Sequence, residues 1–340
     1  MKKKTLWVLG TGGTIAGTLN NPISESTSSV NDYDPYTAAQ HTIQSLTSHL
    51  SGLLADDWEL NVQQVMQIDS KDMSWEGWRE LIQSVQSVQS QQIDGAILIT
   101  HGTDTLEETA TLLDWWMQHD LGWNQDITLT CAMRPADHPH ADGPTNLIQS
   151  TRWVTTTDPS RNVWISANGS IWSAEQVQKN HPLDVNAISA RNGYPIATWD
   201  PVSCAWQLND QGLEQHQPSS MVRKSTIVDW DLKAKSWPKH APWVEVIRSG
   251  ACVDARSLMT LLDKGLQGVI LECTGNGTWN RSLDLVLTEV TRRKIPLAWV
   301  SRCPHGAPKN TAHPKEWADW SHLSASKARV RLMLELAFKG

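Results

Sequence analysis

Thr5-Leu6-Trp7-Val8-Leu9-Gly10-Thr11-Gly12-Gly13-Thr14-Ile15-Ala16-Gly17 is an apolar run that breaks abruptly into glycine and threonine. The run TLWVLG does not alternate with polar residues, so it reads as a strand covered on both faces, as strands of parallel sheets are. A glycine-rich turn directly after such a strand sits where open parallel sheets bind ligands, outside the strands' carboxyl ends. Glycines there let backbone N–H groups approach a ligand closely. The same juxtaposition recurs at Gly95–Thr100 (GAILIT), which runs into His101-Gly102-Thr103-Asp104-Thr105-Leu106-Glu107-Glu108-Thr109-Ala110.

Working outward, residues 61–66, 127–132 and 163–167 read as further strands. Residues 38–50, 74–89, 106–118 and 143–155 read as helices, with Ser74 and Thr105 as caps. The Ser- and Gln-rich stretch 83–92 is the solvated side of a helix whose stripe is Leu81, Ile82, Val85 and Val88. Strands alternating with helices imply βαβ units and a mainly parallel sheet with helices on both faces. Periodicity lapses from Pro195 to Pro242, then resumes with strands at 244–247, 268–272 and 296–300 and helices at 256–262, 283–292 and 324–338. The expected architecture is α/β in two parts: a larger domain over 1–198 with a mainly parallel sheet, a linker over 199–225, and a smaller α/β domain over 226–340.

At 340 residues, the chain has room for two domains. Hydrophobic residues at 39% against charged residues at 19% argue for packed cores and against a disordered chain. A formal net charge of −7 lacks the basic footprint of a nucleic-acid binder. No apolar stretch approaches the length that spans a bilayer. Lys2–Lys4 is followed by too short an apolar run for a signal peptide. Cys131, Cys204, Cys252, Cys273 and Cys303 are odd in number and never form C-x-x-C, which fits a reduced, cytoplasmic protein without a metal site. Nineteen tryptophans stand against three tyrosines and one phenylalanine, so indole has taken over the packing role of the other aromatics. The pair Trp115-Trp116 is expected in a core or a subunit contact.

Neither loop is a nucleotide motif. After Gly10-x-Gly12 the third glycine of a dinucleotide fingerprint would fall at Ile15, and no G-K-[ST] follows. What remains is a loop presenting the hydroxyls of Thr11 and Thr14, or more plainly a tight turn. The second loop sets hydroxyls beside carboxylates, which suits holding an amine or orienting a nucleophile. Its plainer reading is a helix cap, Asp104 or Thr105, with Glu107 and Glu108 facing the helix dipole. His101 is expected to hold its loop through hydrogen bonds. His138 and His140 read as surface residues, since no third metal ligand is near.

TGGTIAG and, about ninety residues later, ITHGTDTLEETA resemble the two signature motifs of the bacterial-type L-asparaginase family, glutaminase-asparaginases included. The resemblance continues through Asp69-Ser70-Lys71-Asp72-Met73, Ala132-Met133-Arg134-Pro135, Ala141-Asp142-Gly143-Pro144, Gly275-Asn276-Gly277 and Lys327-Ala328-Arg329, so it spans nearly the whole chain. It implies a threonine nucleophile at Thr14, activated by a tyrosine of the following loop, Tyr36 in preference to Tyr33. It implies a second catalytic group of Thr103, Asp104 and Lys179. Substrate would be bound by Ser70, by Lys71 beside it, by Asp104 at the α-amino group, and by Asn276 from a neighbouring subunit of a homodimer or homotetramer. No cofactor and no metal are implied, and the expected substrate is the small molecule L-asparagine; nucleic-acid and membrane partners are not expected.

A lysine activates a hydroxyl only if its own pKa is lowered by burial, and a carboxylate beside it acts the other way. A plain Lys179–Asp104 ion pair is therefore the alternative. The sequence departs from the family in three places. The segment from Thr18 to Tyr36 is long and polar. Lys71 stands where relatives carry glutamine or serine, so it either grips the substrate's α-carboxylate or points to solvent. Residues 306–323 do not align, and Glu316 is only the nearest acidic residue to the family's loop glutamate. The expected function is hydrolysis of L-asparagine, with a dual glutaminase-asparaginase or a non-catalytic amino-acid sensor as alternatives.

Overall fold

The apolar run that begins at Thr5 becomes β1 (Lys4–Gly12), and the chain continues through β2 (Thr18–Leu19), β3 (Tyr36–Thr37), α1 (Ile43–Thr47), β4 (Trp58–Ile68), α2 (Trp75–Ser90), β5 (Gly95–Thr100) and α3 (Leu106–His119). Then come β6 (Ile127–Thr130), α4 (Gly143–Thr156), β7 (Val163–Ala167), β8 (Ser170–Ser173), β9 (Val177–Lys179), β10 (Ile188–Ala190), β11 (Ala197–Asp200), β12 (Ala205–Leu208) and α5 (Asp210–Gln215). The computed structural model describes residues 3–20, 35–91, 94–120, 123, 125–157, 160–215, 237–309 and 313–338. It divides into two compact units, Met1–Val228 and Asp229–Gly340.

In the first unit, eight described strands form one sheet in the order β4-β1-β5-β6-β7-β8-β11-β12. The five from β4 to β7 are parallel, and β8, β11 and β12 extend the sheet antiparallel. Helices supply the cover that parallel strands need. Ser74 Oγ caps α2 by accepting from Gly77 N, and Trp78, Leu81, Ile82, Val85 and Val88 are its buried stripe. Each aliphatic residue so buried is worth about 1.5–3 kcal/mol. Trp115 and Trp116 are both buried in α3 and meet edge to face at 6.3 Å.

The second unit repeats the theme in miniature: β13 (Val244–Arg248), α6 (Ala255–Asp263), β14 (Gly268–Cys273), α7 (Asp284–Arg292), β15 (Leu297–Ser301), β16 (Ala318–Asp319) and α8 (Ala325–Phe338). Its four described strands are parallel and adjacent in chain order. Ser324 caps α8, its Oγ accepting from Lys327 N at 3.3 Å. The α/β architecture, with a larger mainly parallel unit and a smaller parallel one, is the one the sequence pattern predicts.

Two stretches differ from expectation. The helix expected over 38–50 is confined to Ile43–Thr47. Ala39 breaks the helical path with a left-handed φ of +57°, and the chain there is pinned to the β1 loop, Ala39 donating to Gly13 O and Gln40 and His41 to Ala16 O. Thr42 then caps what is left. Residues 199–215, expected to lie in a linker, instead complete β11, then form β12 and α5. These strands are too short to show a period, and tryptophan supplies their burial: Trp206 packs edge to face on Trp153 at 5.8 Å and on Trp199 at 5.4 Å. Residues 216–225 of that expected linker fall outside the described residues.

Just past the end of β1 two backbones approach closely. Gly13 has φ +82°, and a Cβ there would overlap the backbone of Gly102. Gly13→Ala is expected to lower unfolding stability by about 1–3 kcal/mol from the left-handed backbone alone. Gly52→Ala, at a site with nothing within 4 Å, should stay near wild type. Urea unfolding of the two variants checks the contrast, and equal midpoints would refute it.

Candidate active site

The chain leaves β1 toward β4 on one side and leaves β5 toward β6 on the other. The strand order therefore switches between β1 and β5, the place where open α/β sheets bind ligands, outside the strands' carboxyl ends. Both hydroxyl-rich loops end at this place. Thr11 is spent on structure: its Oγ1 donates to Thr100 O at 2.8 Å, clipping β1 to β5.

Thr14 opens a single 3-10 turn, Thr14–Ala16, and is buried. Its Oγ1 lies 2.8 Å from the Tyr36 hydroxyl. Tyr36 is positioned by the β2–β3 ladder, where it faces Leu19, and Leu19 N donates to the Asp137 carboxylate at 2.9 Å. Residues 21–34, the middle of the long polar loop and the location of Tyr33, lie outside the described residues.

The second hydroxyl set comes from the β5 loop and from β9. Lys179 Nζ donates to Asp104 Oδ1 at 2.6 Å and to Thr103 Oγ1 at 2.9 Å. The Lys179 side chain is 19% exposed and that of Asp104 51%, so the pair has a dry end and a wet end. Its backbone is fixed too, since Lys179 N donates to Glu107 Oε2 at 3.3 Å. Glu107 thus does more than face a helix dipole; it ties β9 to the first turn of α3.

Ser70 is buried, and its Oγ has no hydrogen-bond partner among the described residues. That hydroxyl lies 2.5 Å from where a Cβ on Gly102 would stand. A buried polar group left without a partner is costly, so this one is suited to a ligand. Thr105 is not a side-chain cap of α3; its Oγ1 donates to Ser70 O at 2.8 Å and holds the Ser70 turn against the β5 loop. Lys71 sits beside it but turns back on its own segment, bridging Asp69 at 2.8 Å and Asp72 at 3.0 Å. Those two carboxylates hold its ammonium well above the usual lysine range. Asn276 belongs to the second unit, on the turn after β14, where its Oδ1 accepts from Lys309 N at 2.6 Å. Glu316 is exposed in the same unit, ahead of β16.

His101 is fully buried beneath the second loop. Its Nδ1 lies 2.7 Å from Gly102 O and must carry the hydrogen, because a carbonyl only accepts. Its Nε2 then accepts from Thr109 Oγ1 at 2.9 Å, and Thr109 Oγ1 accepts from Trp78 Nε1 at 3.1 Å. Burial pulls its pKa down to about 4, outweighing the bond to Gly102 that favours the cation. A third loop, after β6, is organised by Asp142, which accepts from Met133 N and Arg134 N at 2.9 Å each. Burial raises its carboxyl above the ordinary range, although both N–H bonds act the other way. His138 Nδ1 accepts from His140 N. His138 is buried, not a surface residue, because the turn closing this loop folds over it.

Thr14, Tyr36, Ser70, Thr103, Asp104 and Lys179 are therefore drawn to the loops around one switch point. The sequence reading missed Glu107 as the tie to β9, Thr105 as the tie to Ser70, and Trp78 and Thr109 behind His101. The fold is that of a two-unit α/β protein, and its candidate site is built on hydroxyls and one lysine–aspartate pair. One family model, described as asparaginase, N-terminal, matches residues 5–211, and another, described as glutaminase/asparaginase C-terminal domain, matches 243–339. The chain belongs to the asparaginase family. It is 29% identical to a probable periplasmic L-asparaginase of Haemophilus influenzae, over 97% of this chain and 87% of that one. It is 28% identical to L-asparaginase 2 of Escherichia coli, over 97% and 88%. A glutaminase-asparaginase of Pseudomonas fluorescens is 27% identical over 97% and 85%. The crystal structure of a probable cytoplasmic L-asparaginase from Campylobacter jejuni matches with a TM-score of 0.78 at 25% identity, covering 98% of this chain and 95% of that one.

The buried His101 makes stability depend on pH. Above about pH 6.5 the ring is neutral in folded and unfolded chains alike. As pH falls toward 4, the unfolded chain takes up a proton that the folded chain refuses, and stability drops by on the order of 3 kcal/mol. Urea unfolding of wild type and His101→Gln between about pH 7 and pH 4 isolates this share. The wild type should lose more stability than the variant, and parallel curves would show that other groups are responsible.

Proposed function

We infer that this chain is an amidohydrolase that converts L-asparagine and water to L-aspartate and ammonia. The observation that carries the reading is the presence of two hydroxyl relays at one switch-point crevice, Thr14 with Tyr36 and Thr103 with Lys179 and Asp104. Family membership and the names of the relatives support the substrate.

In this reading the Thr14 hydroxyl attacks the side-chain carbonyl carbon of asparagine, and its proton passes toward Tyr36. Hydroxyl is a weak nucleophile until a neighbour accepts that proton, and Tyr36 is the group within reach. The oxyanion is received by backbone N–H groups around Gly102 and Thr103. The C–N bond breaks, the nitrogen takes a proton and leaves as ammonia, and Thr14 is left as an ester. Water then adds to the ester carbon, its proton returns to Thr14 Oγ1, and aspartate is released. Thr103 orients that water, and Lys179 holds Thr103 and Asp104 in place as an ammonium. Asp104, half in solvent, receives the substrate's α-amino group, and the partnerless Ser70 hydroxyl receives its α-carboxylate. The Lys71 charge is already matched by two carboxylates, so in this reading it adds a distant field and Ser70 makes the contact.

Asn276 is proposed to complete the site of a neighbouring copy in a homodimer or homotetramer. A cytoplasmic location is part of the same proposal, supported by the likeness to the Campylobacter protein. The Pseudomonas relative favours some glutaminase activity as a second reading. One methylene changes binding in a pocket by about 1–3 kcal/mol, so glutamine should turn over roughly 10- to 200-fold more slowly.

Ammonia release by purified protein from L-asparagine and L-glutamine, beside Thr14→Ala, tests the proposal. Asparagine should be hydrolysed faster, and Thr14→Ala should lose roughly 10³- to 10⁶-fold in kcat, as removal of a catalytic nucleophile does. No turnover of either amide by well-folded protein would overturn the enzyme reading and leave the amino-acid sensor in its place.

A further inference from the structure

Gly102 presents a problem that the rest of its loop must solve. No side chain can stand there, because a Cβ would press on Ser70 Oγ and on Gly13. Glycine, however, leaves the following peptide free to turn over, since no Cβ biases its ψ. The Gly102–Thr103 peptide carries the Thr103 N–H, which has no partner among the described residues although Thr103 is buried. Something outside the loop must decide which way that peptide faces.

We propose that Trp78, Thr109 and His101 form a clamp that fixes the Gly102–Thr103 peptide and so aims the Thr103 N–H into the crevice as an oxyanion donor. The inference rests on the amide-hydrolysis reading above. The hydrogen bonds take their order from the carbonyl outward. Gly102 O can only accept, so the ring hydrogen sits on Nδ1 and is given to it. The neutral ring's Nε2 then accepts from Thr109 Oγ1, which in turn accepts from Trp78 Nε1. In a trans peptide the C=O and N–H point in opposite directions. Holding the carbonyl on the His101 side, against α2 and α3, therefore turns the Thr103 N–H away from that core and toward the Ser70 and Thr14 side. Moving the ring hydrogen to Nε2 would leave two acceptors, Nδ1 and Gly102 O, facing each other, and turning the peptide over would take the carbonyl from Nδ1–H, so either reversal breaks that bond. His101, Thr109 and Trp78 are positioning residues here, none of them touching substrate.

The test uses full-length Thr109→Val, Thr109→Ala and Thr109→Ser, with kcat and KM for L-asparagine corrected for folded fraction, and ¹⁵N-histidine NMR assigned with His101→Gln. Losing one oxyanion donor costs about 10²- to 10³-fold in kcat, so a donor left in place but no longer aimed should cost roughly 10- to 100-fold. Thr109→Val should show that loss with KM within about twofold, and Thr109→Ser should recover to within about threefold of wild type. The wild-type His101 resonance should report hydrogen on Nδ1, and the Thr109→Val resonance a mixture. If the valine variant does not fold, Thr109→Ala is read by the same criteria. A folded variant with wild-type kcat, a loss that falls on KM alone, or a wild-type ring with hydrogen on Nε2 would overturn the clamp. Failure of the wild type to hydrolyse any amide would instead fell the asparaginase reading, and the ring tautomer would then decide the hydrogen-bond chain by itself.

Discussion

The approach of two glycines sets the terms for the first unit. Gly13 and Gly102 lie just past the ends of different strands, yet neither can carry a Cβ without meeting the other's loop. Their contact brings the carboxyl ends of β1 and β5 together at the place where the strand order switches. Thr14 follows one glycine and Thr103 follows the other, so the two hydroxyl sets inherit their nearness from the backbone. The supports then follow in order. Gly13 N–H donates to Ile68 O and Gly13 O accepts from Ala39 N, which sets the β1 loop against β4 and the approach to α1. Ser70 lies just after β4 and reaches Gly102 for the same reason.

Burial decides what each lysine can do. Lys71 and Lys179 both bridge carboxylates at nearly the same distance, but their side chains are 59% and 19% exposed. An exposed bridge within one turn gains little, because water competes for both partners. Lys71 accordingly settles on its sequence neighbours. Lys179 is reached through a short two-stranded ribbon and a buried glutamate, and it spends a second hydrogen on the Thr103 hydroxyl. That added bond separates an isolated ion pair from one that also orients a hydroxyl.

Much of this is legible in the amino-acid sequence, and the reason is periodicity. Runs such as TLWVLG and GAILIT have no polar alternation, and the stripe of Leu81, Ile82, Val85 and Val88 recurs at helical spacing, so the parallel core can be read directly. The motifs carry the candidate site residues because Thr14, Thr103 and Asp104 sit in short contiguous loops. What escapes has no local signature. Strands β11 and β12 are four residues each and rely on Trp153, Trp199 and Trp206 meeting across the chain. The helix expected from residue 38 starts late because Ala39 takes a left-handed φ of +57°, which a right-handed helix cannot include. Thr105 reads as a helix cap because only the fold reveals that Ser70 O lies within its reach. The chain from Trp78 to His101 links α2, α3 and the β5 loop, which no spacing rule connects.

The burial of His101 also bears on how protons travel in the proposed reaction. Imidazole is the usual carrier near neutral pH, and one stands beside the second loop. Its surroundings disqualify it as a carrier. Both ring nitrogens are occupied, and charging the ring would leave the Thr109 hydrogen without its acceptor while Trp78 still donates from behind. In the proposed reaction the protons run through hydroxyl groups instead, each backed by one neighbour, Thr14 by Tyr36 and Thr103 by Lys179. A hydroxyl passes a proton only when it gives one up as it takes one in, so such a relay works when its partner is already placed. This is why a site with so few ionisable groups needs so much scaffolding. The β2–β3 clip behind Tyr36, the Glu107 tie behind Lys179 and the ring behind Gly102 each fix a geometry that a more basic catalyst could tolerate losing.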